Sequence, residues 1–155
     1  MVDSMKSKSL QVVFAVLTIM TLAFSSLGIT PASAAAADWV TVGSAGFSAG
    51  QAQYTSLAIY NGTPYVAYMD YANSNKATVM KYDALAGNWV TVGSAGFSAG
   101  QAAYISLALD GSGTPYVAYW DYANSRKATV MKYDPLAGNW VTVGSAGFSA
   151  GMRRR

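Results

Sequence analysis

Few residues in this chain could do covalent chemistry. It has no His, no Cys and no Glu, which removes the usual general base, the nucleophilic thiol and most metal-ligand sets. Asp is the only carboxylate. Asp70 and Asp121 hold matching positions, each opening a run Asp-Tyr-Ala-Asn-Ser. Two such carboxylates could act as acid and base in glycoside cleavage. The competing reading is that each caps its own turn by accepting backbone N–H groups, as Asp commonly does before such loops. Asp110-Gly-Ser-Gly113 and Asp70-x-x-Asn73-x-Asn75 gather oxygen ligands of the kind calcium takes. Calcium asks for about six oxygens and usually a bidentate carboxylate, so turn chemistry accounts for both loops and no metal or other cofactor is expected. Gly43-Ser-Ala-Gly46 and its copies are glycine-rich, but with no helix after them they make poor phosphate cradles.

Non-covalent recognition fits the composition better. Tyr71, Asn73, Trp120, Asp121, Tyr122, Asn124 and Arg126, with Phe97 beside them, set aromatic rings next to short polar groups. A sugar needs that combination: a ring to stack on its C–H face, and carboxylate or amide groups to fix its hydroxyls. For Trp120 the alternative is plain packing between repeats, with Met69 filling the same space in the other copy.

The elements that must position these side chains are set by repetition. Trp39–Gly50 recurs letter for letter at Trp89–Gly100 and Trp140–Gly151, a period of about fifty residues that marks an array of supersecondary units. The repeats run 39–88 and 89–139, with a partial third at 140–151. Tyr54–Ile59, Pro64–Met69, Lys76–Tyr82 and Asn88–Val92 are rich in β-branched and aromatic residues and have strand length. Asn61-Gly62, the Asp70 run and Asp83-Ala-Leu-Ala-Gly-Asn88 break them with turn residues. The second repeat is one residue longer at Asp110–Gly113, where a surface hairpin loop absorbs an insertion without shifting strand register. The strands are apolar on both sides, so both sheet faces should be covered. An all-β fold follows, and four-stranded antiparallel blades of β-propeller type stacked face to face are expected, the alternatives being a two-sheet sandwich, which would leave one polar face per sheet, and a β-solenoid, which normally has a shorter period. Two complete blades and one extra N-terminal strand at Trp39–Val42 are expected. Two blades cannot close a ring in one chain, since rings take roughly four to eight. Several copies completing a ring head to tail, or a fragment of a longer array, would resolve the exposed flanks. The repeated Trp39, Trp89 and Trp140 read as packing between blades.

Tyr104–Tyr119, followed by Lys127–Tyr133 and Asn139–Val143, resembles the tandem repeats of secreted bacterial β-propeller-like proteins, over Trp39 to Gly151. The resemblance implies fold and export, and little about activity. A fainter similarity to the sialidase Asp-box, through Ser106, Asp110, Gly113 and Tyr116, has too wide a spacing and carries no catalytic residue with it.

Residues 1–34 read as a secretory signal peptide: Lys6 and Lys8, an apolar run Leu10–Leu22, then Pro31-Ala-Ser-Ala34 as a cleavage site, the alternative being an uncleaved membrane anchor. No other segment is apolar enough to cross a membrane, so a secreted, extracellular protein held by packing without disulfides is expected. Much of the formal charge of +3 comes from the tail 152–155 with its three arginines, so the array is near neutral and lacks the basic footprint of a nucleic-acid binder. The expected function is a non-enzymatic module for adhesion or carbohydrate binding, with a glycan as partner. The alternatives are a purely structural array or fragment, and a glycosidase-like enzyme fragment.

Overall fold

The structure is a computed structural model and describes residues 39–150. The expected signal peptide and the basic tail lie outside the described residues. All eight strands lie in one unit, Val40–Arg155.

There are two antiparallel sheets whose strands run in sequence order, each taking three strands from one repeat and nearly all of its fourth from the start of the next. The first sheet contains β1 (Ala52–Tyr60), β2 (Thr63–Asp70), β3 (Lys76–Asp83) and β4 (Asn88–Thr91). The second contains β5 (Ala102–Leu109), β6 (Pro115–Asp121), β7 (Lys127–Asp134) and β8 (Asn139–Thr142). The four strands expected per repeat are thus present, with ends shifted by a residue or two. Local chemistry explains the turns. Asn61 and Gly62 both take positive φ, 46° and 78°, as a two-residue hairpin with right-handed strand twist requires. Between β2 and β3, and again between β6 and β7, a single 3-10 turn (Tyr71–Asn73, Tyr122–Asn124) ends on a left-handed serine.

After β4 the chain keeps to the outer edge of β3. Val92, Phe97 and Ala102 donate N–H groups to the carbonyls of Val79, Ala77 and Asn75. This glycine-rich crossover replaces the rest of an edge strand and leads into the second sheet. Gly93 is required within it: at φ +69°, a Cβ would stand 2.9 Å from the Tyr133 ring and 3.2 Å from the Trp140 indole.

Side chains alternate across each sheet, so each has two faces. On the face called front here, Leu57, Val66 and Met80 are aligned by strand register, as are Leu107, Val117 and Met131 in the second sheet. The back carries Ala67 and Val79, matched by Ala118 and Val130. The back of the first sheet packs on the front of the second. Ala67, Met69, Ala77 and Val79 meet Ile105, Leu107, Val117, Tyr119 and Met131 in one buried cluster. Leu107 N–H also donates to Ser56 Oγ at 3.0 Å, tying β5 to β1.

The strands expected to be covered on both sides are therefore each covered on one side by the other sheet. β6 alternates buried and half-buried along its length although its sequence does not alternate in polarity. The expected extra strand at Trp39–Val42 is absent: residues 39–41 are irregular, and bends and turns follow from 42 to 50. The same letters become β4 and β8 because β3 and β7 offer them an edge. Among the described residues no strand lies beside Trp39–Val42. Nor do the described residues form a closed ring.

Candidate functional site

Every carboxylate of the two repeats is bonded within its own turn. Asp121 Oδ1 accepts from Ala123 N at 3.0 Å, and its Oδ2 accepts from Asn124 Nδ2 and Thr129 Oγ1, both at 2.8 Å. Asp70 has the same three partners in its copy, Ala72, Asn73 and Thr78. Both aspartates are only 1% exposed. The threonines extend the network, since Thr78 Oγ1 and Thr129 Oγ1 accept from Gly96 N and Gly147 N at 2.8 Å. The turn-capping reading of these residues is thus what the structure shows. Asp110 caps its loop through the N–H groups of Ser112 and Thr114, both at 2.9 Å. Those bonds hold its carboxyl below the usual range, the Thr114 N–H contributing most. Asp83 and Asp134 accept from the backbone two and three residues on.

Of the expected binding residues, Tyr71 and Tyr122 stand exposed on the 3-10 turns. The Arg126 guanidinium lies 4.9 Å from the Tyr122 ring centroid, in cation–π geometry. Asn73 and Asn124 are half-buried and donate to Asp70 and Asp121, so they brace the turns. Asp121 is buried beneath its turn. Phe97 stacks on Trp140 at 4.1 Å and belongs to the packing between repeats. The crossover does share an end of the sheets with these turns: Gly96 lies against Asn73, and Gly100 against Ala123.

Trp120 and Met69 part company. Met69 is buried between the sheets, whereas Trp120, its counterpart, is half-buried on the uncovered back of the second sheet. Its ring lies 4.5 Å from that of Tyr104, and Tyr104 lies 5.0 Å from Tyr54. The result is a row of three rings across both sheets, with Tyr54 40% and Tyr104 59% exposed. The row sits near the turn end, since Gln53 pairs with Met69 and Ala103 with Trp120.

Both tyrosines have φ +51° and fall at a register shift in their strands. A bulky side chain in the left-handed region costs about 1–2 kcal/mol. The bulge turns the ring to where its neighbour can be met. The sequence signalled these tyrosines only as a repeated Gln-Ala-x-Tyr phase at the opening of a strand, and gave no sign of the backbone kink that makes them a surface.

Beneath the site, Tyr68 and Tyr119 are buried and donate their hydroxyls to Met80 and Met131 sulfur at 3.3 Å. Burial, and then the Asp70 charge, push the Tyr68 phenol up to about 12. Burial and the Asp121 charge push Tyr119 upward in the same way. An unfolded tyrosine ionises near pH 10, so the stability from holding these phenols neutral is complete below about pH 10 and is lost as pH rises toward 12. The urea unfolding midpoint should fall over that interval, and the double variant Tyr68→Phe, Tyr119→Phe should flatten the fall. A level midpoint in the parent chain would contradict the burial of these phenols.

No protein-family model matches the chain and no curated protein matches it in sequence, so the reading of its role rests on the geometry above.

Proposed function

We propose that the chain is a secreted, non-enzymatic repeat module whose two sheets are propeller-type blades, and that it binds carbohydrate through its turn end in an adhesive role. The observation that carries this reading is the exposed pair Tyr54–Tyr104, held by strained tyrosine backbones, with Tyr122 and its Arg126 displayed at the same end of the sheets. Backbone strain repeated in both copies points to a use for the rings it displays. Exposed aromatic rings at the same end as a cation suit the alternating apolar and hydroxyl faces of a sugar. The blade reading is supported by sequential antiparallel strands and by face-to-face packing of one repeat on the next. The non-enzymatic reading is supported by Asp70 and Asp121, whose oxygens already hold three donors each and face no solvent.

Binding of the purified chain to a panel of polysaccharides tests this. Tyr54→Asn and Tyr104→Asn both suit the left-handed backbone, and each removes one ring of the pair. Each should weaken binding about tenfold, which corresponds to about 1.4 kcal/mol, without changing the unfolding midpoint by a similar amount. Absence of binding, or equal binding by both variants, would refute the proposal, and release of reducing sugar would favour a glycosidase instead. A purely structural array is the second reading, favoured by the sheet faces left uncovered. In that case both variants behave as the parent does toward every glycan.

A further inference from the structure

The open front of the first sheet and the open back of the second are the two halves of a contact the molecule already makes once. Leu57 is 62% exposed, while its counterpart Leu107 is 7% exposed under the neighbouring sheet. Val66 and Met80 are half-buried, and Val117 and Met131 are buried. On the other side, Ala67, Ala77 and Val79 are fully buried between the sheets, whereas Ala118, Ala128 and Val130, the same residue types at the same phase, are half-buried with no sheet over them. The open front forms an apolar groove of about 530 Å³ lined by Leu57, Ile59, Pro64, Val66, Tyr82 and Trp89. In the second sheet the corresponding front is filled by the first sheet's back.

We propose that a second copy of this chain docks head to tail, laying the back of its Ala102–Thr142 sheet into the groove on the front of the Ala52–Thr91 sheet. The occupant is identified by the junction inside the chain. A groove built from the letters of the second sheet's front accepts a face built from the letters of the first sheet's back, and the copy presents such a face in Ala118, Ala128 and Val130. One hydrogen bond transfers too. Leu107 N–H finds Ser56 Oγ within the chain, and Leu57 N–H would find the copy's Ser106, which is exposed. Both open faces are apolar, and uncovered apolar surface of this kind favours association. Because each copy keeps one free front and one free back, the contact is heterologous and builds a closed ring or an open filament according to the rotation at each step.

The test uses the full chain and light scattering with size exclusion. The parent should have the mass of at least two chains. Leu57→Lys puts a charge on a side chain that is exposed in the single chain, and Val130→Lys puts one on a half-buried side chain of the opposite open face, with far-UV circular dichroism expected to be unchanged in both. Each variant alone should run as a monomer. Mixed, they should form a one-to-one pair, because each retains the face the other lacks. A monomeric parent overturns the proposal, as does a folded Leu57→Lys variant with the parent's mass. Front-to-front pairing would leave Val130→Lys associated on its own, and that result also overturns it.

Discussion

Replacing Asp121 by Asn should cost the fold about 3 kcal/mol, although the two side chains have nearly the same shape. The carboxylate oxygens receive three donors and are sealed from water. An amide can keep the bond from Ala123 N, but its NH2 group then faces the Asn124 amide N–H and the Thr129 hydroxyl. Thr129 cannot turn away freely, because its oxygen also accepts from Gly147 N. Two buried donors are left facing a third. A thermal unfolding curve should move down by about 10 °C for a loss of this size in a chain of this length. Asp70→Asn should behave alike, with Thr78 and Gly96 in the same places. A shift of under about 2 °C would mean that the carboxylates are not what holds the turns.

Trp140→Ala should be larger still, about 3–5 kcal/mol. The indole is 8% exposed, stacks on Phe97 at 4.1 Å with 10° between the planes, and donates Nε1–H to Val92 O at 2.8 Å. It is the clasp between one repeat's crossover and the next repeat's last strand. Its removal opens a cavity and leaves the Val92 carbonyl without that donor. Trp89 makes the same contacts, with Phe47 at 4.2 Å and Val42 O at 2.9 Å, but it is only half-buried at the edge of the groove. Trp89→Ala should therefore cost clearly less when the chain is dilute. Denaturant unfolding of the two variants checks the ordering, and equal losses would contradict it.

Much of the architecture was legible because repetition and turn chemistry agree. Asn61-Gly62, the Asp70 and Asp121 turns, and Asp83 each stop a strand where the chain reverses. The absence of a strand at Trp39–Val42 was not legible, because a strand needs an edge and the letters Trp-Val-Thr-Val carry no information about what lies beside them. The site was legible in its turns: Tyr71, Tyr122 and Arg126 are displayed, and Asp121 is bonded inside. Its most exposed part was hidden, because Tyr54 and Tyr104 read as ordinary strand residues. Their positive φ follows from a pairing irregularity set by the partner strands, which no local pattern encodes. The unequal fates of Met69 and Trp120, or of Leu57 and Leu107, depend on position in the stack and not on residue type.

Near-identical repeats bring a hazard during folding, since each hairpin of one unit could be exchanged for its twin. Tyr60 and the longer loop of the second repeat break that degeneracy. The Tyr60 ring seats on Gly113, where a Cβ would come within 2.6 Å, and its hydroxyl donates to Gly111 O at 3.1 Å. The first repeat has a tyrosine where the second has Asp110, and only the second has the extra residue. A lock and its key thus occur once each, on different units, and the nascent polypeptide can tell its first module from its second.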